Sequence, residues 1–400
     1  MSQHIALSAF WPGFRLTELH IQEDRVDAQL EPDEHSELLC SGCGDSCSSV
    51  HDRQWRRIRD LPMLGRTLVL NALILRVACH RCGPRVQMVQ WLGRHQRLTE
   101  RLAQAAAALC STMSTAHVAE LFELHWSTVR EIDRRALRQR LSELPPAQPR
   151  RLIMDEFALH KGHRYASVVL DAETKRVLWI GLGRSRAAVR GFFTGLGHEG
   201  CARIEAVAMD MNTAYDLEVR QHCPKARIIY DLFHVVAKYG REVISRVRVD
   251  AANQLRHDKP ARRVVKQAHW LLLRNPARLE SSQRIHLDEV LQANRSLMSA
   301  YIMKDELKSL WSAPNAWEWR RRWKQWLEHA QQSNIAALIR FAELLKPYWK
   351  GILSRVRWPM HTGTLEGINN KIKLIKRTAF GYRDTDYFFL KIKAAFPGNP

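Results

Sequence analysis

Long apolar segments are missing from this chain, and acidic residues are scarce relative to basic ones. No uninterrupted apolar stretch approaches the roughly 20 residues that a membrane-spanning helix needs, which argues against a membrane protein. Residues 1–14 lack the basic leader and apolar core of a signal peptide, so we expect a cytoplasmic protein. Asp and Glu number 41 against 62 Lys and Arg, which gives a net charge of +21. So large a positive charge indicates a nucleic acid or another polyanion as partner.

Internal repeats and low-complexity tracts are also absent from the sequence. An apolar fraction of 46% and a charged fraction of 26% are typical of a globular protein, and 400 residues predict more than one domain. The clearest boundary is a stiff proline-rich linker. We predict a leader (1–39), a cysteine-rich segment (40–95), a helical segment (96–143), the linker (144–150), alternating strands and helices (151–235), an all-helical segment (236–358) and a C-terminal segment (359–400).

Cysteine is used sparingly, and five of the eight cysteines lie in the cysteine-rich segment. Cys40 and Cys43 form one CxxC pair, and Cys79 and Cys82 form a second. A CxxC turn directs two thiolates at one tetrahedral Zn²⁺, so the pairs predict one structural zinc ion. The 35 residues between the pairs suit a zinc ribbon in which strands fill the interval. Four buried free thiols are the alternative. Other ligands available within the segment are Cys47 and His80.

Residues 114–135 predict a helix, a short turn and a second helix. Thr115 and Ser127 are candidate N-caps of the two helices. The packed face is predicted to contain the apolar residues Val118, Leu121, Val129 and Ile132. Polar residues gather at the start of the second helix, the part that enters a major groove in helix-turn-helix proteins, so we favour DNA binding over an ordinary helical hairpin. The predicted DNA contacts are Ser127, Thr128, Arg130 and Arg134.

Two acidic residues, Asp155 and Asp210, each end an apolar run that reads as a buried strand. Between them, residues 165–170 and 176–181 predict a hairpin, and helices separate the later strands. This order resembles an RNase H-like mixed sheet in which the first and fourth strands lie side by side. Both carboxylates would then meet in one crevice and bind two Mg²⁺ or Mn²⁺ ions. A surface charge or a helix cap is the alternative for either acid alone, and Glu156 is a rival that faces the other side of its strand.

A third acid, Glu366, lies in a basic helical segment near the C-terminus. Helical spacing places Glu366 on one face with Asn370, Lys373 and Arg377, and apolar residues on the opposite face. We therefore predict that Glu366 is a metal ligand and that the other three contact a phosphate backbone. Asp231 and His234 also follow a strand, and we predict that they support the metal site or contact DNA rather than bind metal directly.

The helical segment 236–358 is rich in tryptophan. Trp319, Trp323 and Trp326 fall on one helical stripe, which predicts core packing. Cations occupy the other faces of the same helix and are candidates for phosphate contacts. The predicted DNA contacts in this helix are Arg320, Arg321 and Lys324.

Five motifs together resemble the DDE transposases of the ISL-three insertion-sequence family. The resemblance runs from about residue 38 to the C-terminus and includes the cysteine pairs and the helix-turn-helix. The motifs are MDEFA at 154–158, GHRY at 162–165, AMDMN at 208–212, DLFHVV at 231–236 and TLEGINNKIK at 364–373.

The resemblance implies an α+β multidomain protein whose RNase H-like core is interrupted by an all-helical insertion and preceded by a zinc ribbon and a helix-turn-helix. It implies that Asp155, Asp210 and Glu366 are the catalytic triad of a bacterial, nucleoid-associated enzyme that binds terminal inverted repeats, hydrolyses DNA and transfers strands. Because two ends must be cut together, we expect a homodimer or larger assembly. The alternatives are a catalytically inactive DNA-binding regulator and a nuclease without strand transfer.

Overall fold

The protein, seen here as a computed structural model, is described for residues 7–93, 96–160, 164–358, 360 and 363–399. It consists of two compact units. The first contains Met1–Leu144 and Lys373–Ala394, and the second contains Pro145–Ile372 and Ala395–Pro400. In the described part of the chain, no helix is both long enough and apolar enough to cross a membrane.

The first unit is built on a five-stranded mixed sheet in the order β1-β2-β4-β3, with β5 on β4. β2 alternates buried and half-buried residues because its buried face packs on the core around Trp11, Phe14 and Leu70. The predicted leader 1–39 therefore supplies two strands to the sheet of the cysteine-rich segment, and the predicted boundary at 39/40 lies inside one core. The strands are β1 (Phe14–Ile21), β2 (Arg25–Pro32), β3 (Val50–Met63), β4 (Arg66–Cys79) and β5 (Gly83–Val86).

Three helices follow the sheet: α1 (Glu100–Leu109), α2 (Thr115–Leu121) and α3 (Trp126–Ser142). A buried carboxylate ties them to the sheet, because Asp60 of β3 accepts hydrogen bonds from Trp11 Nε1 at 2.9 Å and Thr99 Oγ1 at 2.6 Å and pairs with Arg101. A buried charge is tolerated when it is paired and hydrogen-bonded in this way.

The second unit contains a five-stranded sheet in the order β10-β9-β6-β7-β8, in which β6, β7 and β8 are antiparallel and β6, β9 and β10 are parallel. The predicted hairpin is confirmed as β7 and β8. The elements are β6 (Arg151–His160), β7 (Arg164–Asp171), β8 (Val177–Leu182), α4 (Arg186–Arg203), β9 (Ala206–Met209), α5 (Thr213–His222) and β10 (Arg227–Tyr230).

The prediction that Asp155 ends its strand is wrong. β6 continues to His160 because β7 pairs with it beyond the acid, with Asp155 opposite Val168 and Phe157 opposite Ala166. Asp210, in contrast, directly follows β9 as predicted.

The described residues from 232 to 357 are helical apart from short turns. Their core is continuous with that of the sheet and includes Tyr230, Tyr239 and Phe341. Gly351 lets its helix pack closely against β10, because a Cβ at this position would lie 2.3 Å from the Tyr230 ring. The helices are α6 (Leu232–Tyr239), α7 (Ser245–Gln254), α8 (Lys259–Gln267), α9 (His269–Leu273), α10 (Ser281–Gln292), α11 (Arg295–Ser309), α12 (Ala316–Gln332), α13 (Ala336–Leu345) and α14 (Trp349–Arg357).

Two helices end the chain: α15 (Gly363–Thr378) and α16 (Thr385–Ala395). Tyr387 of α16 donates a hydrogen bond to the buried Asp133 of α3, and Lys391 pairs with the same carboxylate at 2.9 Å. Residues 373–394 therefore belong to the first unit. The predicted C-terminal segment 359–400 is thus divided between the two units, because the partners of α16 are more than 240 residues earlier in the chain.

Candidate active site and nucleic-acid interface

The two predicted aspartates, Asp155 in β6 and Asp210 just after β9, lie where these two strands pair. These strands are parallel with Ile153 opposite Ala208, and continuing that register by two residues brings Asp155 beside Asp210 on the same face. Asp155 is 6% exposed. Burial raises its pKa above the usual range. Burial also raises the pKa of Asp210 to about 6, and the negative charges of Glu156 and Asp155 add to that effect.

A histidine and a third aspartate border the same site. Asp231 directly follows β10, and His234 lies in the first turn of α6. His234 Nε2 is 4.0 Å from Asp155 Oδ1 and 3.9 Å from Asp231 Oδ2. A positive charge on His234 would lower the pKa values of Asp155 and Asp210 and so oppose the effect of burial. His234 therefore lies between Asp155 and Asp231, and the supporting role of both residues stays a prediction.

Helix α15 reaches the pair through Asn369, whose Nδ2 donates a hydrogen bond of 2.9 Å to Asp155 Oδ2. Glu366 lies one turn earlier in α15, but its side chain falls outside the described residues. The sequence interpretation selected Asn370, which is exposed, and missed Asn369. The spacing Glu366-x-x-Asn369 was the available signal, because residues three apart share a helix face.

The carboxylate site fits divalent cations. Asp210 Oδ1 is buried with no hydrogen-bond partner, and an orphaned carboxylate oxygen is a strong acceptor for a cation. Hard cations such as Mg²⁺ prefer this type of oxygen ligand. Asp155 and Asp210 would hold such ions, and a cation between them would relieve the repulsion that raises the pKa of Asp210.

Glu156, the predicted rival, makes different contacts. Its Oε1 accepts a hydrogen bond of 3.1 Å from Arg184, and its Oε2 is buried with no hydrogen-bond partner. The negative charge of Glu156 adds to the effect of burial on the pKa of Asp210, while Asp155 makes the contacts with His234 and Asn369.

The predicted zinc ligands form a single cluster. The Sγ atoms of Cys40, Cys43, Cys79 and Cys82 all lie within 4.8 Å of one another. The backbone N–H of Cys82 donates to Cys79 Sγ at 3.4 Å and lowers the pKa of that thiol to about 6. This arrangement suits a tetrahedral thiolate site. The cluster does not include Cys47, whose thiol donates to the carbonyl of Asp45.

Helices α2 and α3 form the predicted helix-turn-helix with two corrected caps. Ser114, not Thr115, caps α2 by accepting the His117 N–H at 3.2 Å. His125, not Ser127, caps α3. Leu121, predicted to pack, is 57% exposed, and Phe122 takes its place in the core because the turn follows directly.

At the start of α3, Ser127 and Thr128 are half-buried, and Arg130 lies over the ring of Trp126 at 5.3 Å. Arg134 instead binds Asp384 at 2.9 Å within the first unit. On α15, the predicted contacts Asn370, Lys373 and Arg377 are exposed.

Comparisons with known proteins give matches for both the helix-turn-helix and the segment that contains the acids. Residues 87–137 match the helix-turn-helix domain of transposase family ISL3, and residues 152–392 match the DDE transposase family of ISL3 type. The chain belongs to the ISL3 family of DDE transposases. A relative from Bordetella parapertussis, the transposase for insertion sequence element IS1001, is 52% identical over 97% of each chain. The transposase for insertion sequence element IS1557 of Mycobacterium tuberculosis is 29% identical over 90% of this chain and 86% of its own length.

In this transposase the tryptophan stripe of α12 packs in the core, as predicted. Trp319 and Trp323 are stacked with ring centroids 5.3 Å apart, and Trp323 and Trp326 are stacked at 5.9 Å. Of the predicted DNA contacts on this helix, Arg320 is exposed, Arg321 pairs with Glu318 at 2.6 Å, and Lys324 lies 3.8 Å from Glu328.

Proposed function

We propose that this transposase hydrolyses DNA at the ends of an insertion sequence and joins the freed 3′ end to target DNA, with Asp155, Asp210 and Glu366 as catalytic acids. The strongest support is that Asp155 is buried in β6 and that Asp210, whose Oδ1 is buried, directly follows the adjacent parallel strand β9. Both lie within the segment that matches the DDE transposase family. We infer that the sheet order β10-β9-β6-β7-β8 is an RNase H-like core. In such open sheets, ligands bind where the carboxyl ends of the strands meet.

Two Mg²⁺ or Mn²⁺ ions would be held by the three acids. When bound, such ions stabilise the charge on the attacking and leaving oxygens of an in-line displacement at phosphorus. Asn369 orients the Asp155 carboxylate through its hydrogen bond, and His234 faces Asp155 and Asp231. These neighbours prepare the carboxylates as ligands, because groups that hold a metal ligand in place also fix its orientation.

The chemistry has two balanced steps. In the first, a water oxygen bonds to phosphorus at the element end and the P–O3′ bond breaks, which leaves a 3′-hydroxyl and a 5′-phosphate. In the second, that 3′ oxygen bonds to a phosphorus of the target and loses its proton, and the target's own P–O3′ bond breaks with protonation of its 3′ oxygen. Neither step requires a redox partner.

End recognition is assigned to the first unit. Ser127, Thr128 and Arg130 lie at the beginning of α3, where helix-turn-helix proteins contact base edges. The exposed α15 residues Lys373 and Arg377 suit phosphate contacts. We propose that the four cysteines bind one structural zinc ion that stabilises this unit, and that two or more copies act together so that both element ends are cut in one assembly.

The function is tested with the full-length protein, Mg²⁺ and a duplex carrying the inverted repeat that flanks the gene. We expect a nick at the 3′ end of the repeat and joint molecules with a second duplex. A pre-cut end with a free 3′-hydroxyl should give joint molecules without prior hydrolysis. Nicking without joining would identify a nuclease, and binding without either product would identify an inactive regulator.

Replacing Asn369 with Ala is expected to slow cleavage by about 10- to 100-fold and to raise the Mg²⁺ concentration needed for half-maximal rate, because Asp155 loses the hydrogen bond that orients it. A Mg²⁺ titration of the cleavage rate checks this. The neighbouring exposed Asn370→Ala is the matched control and should leave the Mg²⁺ dependence unchanged. Identical Mg²⁺ curves for Asn369→Ala and the wild type would remove the positioning role.

A further inference from the structure

The helical segment carries a second basic surface that the sequence interpretation did not use. Lys259, Arg262, Arg263 and Lys266 of α8 are spaced at i, i+3, i+4 and i+7, so they form one stripe along the helix. Over these seven steps the stripe extends about 10 Å. Duplex DNA carries roughly one negative charge per 1.7 Å of its axis, so the stripe is long enough to face several phosphates.

Among the residues that the structure describes, no acid lies within ion-pair distance of the four cations of this α8 stripe. Asp258, beside the stripe in sequence, caps α8 by accepting the Ala261 N–H at 3.0 Å, and Asp250 of α7 pairs with Arg246 at 3.3 Å. Like charges at helical spacing destabilise a helix. A stripe that the fold does not neutralise is therefore suited to an external anion.

Several cations elsewhere in the insertion are paired. Arg321 and Lys324 of α12 pair with acids of their own helix, and Lys346, just after α13, lies 2.6 Å from Glu343. A paired cation must give up its partner before it binds a phosphate, which reduces its net contribution. Binding of a phosphate by the α8 stripe does not require an ion pair to break.

An exposed aromatic residue extends the stripe. Trp270 in α9 follows Lys266 by four residues, and its side chain is 68% exposed. Arg248 reaches the same end of α8, where it donates to the carbonyl of Lys266 at 3.0 Å. Large exposed apolar groups beside basic residues are typical of surfaces that bury against nucleic acid.

We infer that the α8 stripe and Trp270 form a second contact surface for the phosphate backbone of duplex DNA, separate from the helix-turn-helix. It would add affinity without reading sequence, because phosphate contacts are the same at every base pair. The inference rests on the proposed action on DNA, but its readout is binding and does not depend on cleavage.

The test uses variants of the full-length protein. The stripe variant is Lys259→Gln, Arg262→Gln, Arg263→Gln and Lys266→Gln, and a double variant, Lys259→Gln with Arg263→Gln, loses two charges. The control, Lys308→Gln with Lys346→Gln, also loses two charges, from insertion cations that are paired with acids and are not among the predicted DNA contacts. Fluorescence anisotropy measures binding to a duplex with the element end and to an unrelated duplex of equal length, over a range of salt concentrations.

We expect the stripe variant to bind both duplexes about tenfold or more weakly at 0.1 M salt, with the slope of log K against log salt reduced by about 3 to 4. The ratio of the two affinities should not change, whereas Arg130→Ala in α3 should lower that ratio. If the stripe variant does not fold, Lys259→Gln with Arg263→Gln should give about half the change in slope.

Equal slopes for the stripe variant and the wild type would overturn the inference. So would an equal loss in the control and in the double variant Lys259→Gln with Arg263→Gln, because the effect would then come from net charge. A wild-type protein that cleaves and joins element ends while the stripe variant binds normally would leave the proposed function intact. A wild-type protein that binds neither duplex would contradict both.

Discussion

Replacing Asp210 with Asn is expected to reduce cleavage of the element end by about 10³-fold or more, equivalent to roughly 4 kcal/mol of lost transition-state stabilisation. The amide keeps the shape of the side chain but removes the charge that holds a divalent cation. Asp155→Asn and Glu366→Gln should have similar effects, and binding to the element end should remain nearly intact. Gel analysis of nicked and joined products, alongside anisotropy binding, measures both properties.

Although Asp210→Asn should reduce cleavage, it should not lower the stability of the fold. Burial raises the pKa of Asp210 to about 6, so at neutral pH the folded protein holds a carboxylate that it disfavours. A carboxyl with a raised folded-state pKa lowers stability as pH rises from its ordinary value, 3.8, to about 6, and the full loss persists above that. Without divalent cations at pH 7.5, Asp210→Asn should therefore melt at the same or a higher temperature than the wild type. Mg²⁺ should raise the melting temperature of the wild type but not of the variant.

The matched control is Asp250→Asn, which removes an exposed carboxylate paired with Arg246 elsewhere in the second unit. It should leave cleavage and the Mg²⁺ effect unchanged. If Asp210→Asn cleaves at the wild-type rate with Mg²⁺, the assignment of the catalytic acids is wrong.

Sequence patterns identified local features and missed those that depend on tertiary pairing. The run that ends at Asp155 looks complete because an acid follows three apolar residues, yet β7 extends the pairing of that strand to His160. Likewise, Ser114 and Thr115 are equally good caps by composition, and only the backbone decides between them. The burial of Asp133 against α16 was inaccessible, because its partners lie more than 240 residues away.

Other omissions were readable from spacing alone. Glu318 precedes Arg321 by three residues and Glu328 follows Lys324 by four, which predicts the ion pairs that occupy those cations. On α8 the same rule finds one acid, Asp258, four residues before Arg262, and that acid caps the helix instead. Tryptophan content led to the predicted DNA contacts on α12. Ion pairing at helical spacing instead distinguishes α12, where Arg321 and Lys324 are paired, from the stripe on α8.

Removing zinc is expected to destabilise the first unit by about 4 kcal/mol when the ion is present at roughly a thousand times its dissociation constant. The ion would join the segment around Cys40 and Cys43 to the end of β4 and the turn before β5, where only a small group of apolar residues packs around the thiols. The main sheet core around Trp11 and Phe14 is separate, so the unit should melt at a lower temperature and not lose its fold outright. Elemental analysis should find one zinc ion per chain, and chelation should lower the melting temperature.

Cys79→Ser should abolish zinc binding, because it removes one of the four thiols whose Sγ atoms lie within 4.8 Å of one another. Cys47→Ser is the matched control: its thiol is close by and buried but outside the cluster, so the variant should retain one zinc ion. Loss of zinc from Cys47→Ser would show that Cys47 is a zinc ligand in place of one of the four. The alternative of four buried free thiols would be established by a wild-type chain that contains no zinc. Its thiols would react individually, and chelation would not change its melting temperature. Since α1–α3 share the first unit with this sheet, weaker element-end binding after chelation would show that the zinc ion also supports the helix-turn-helix.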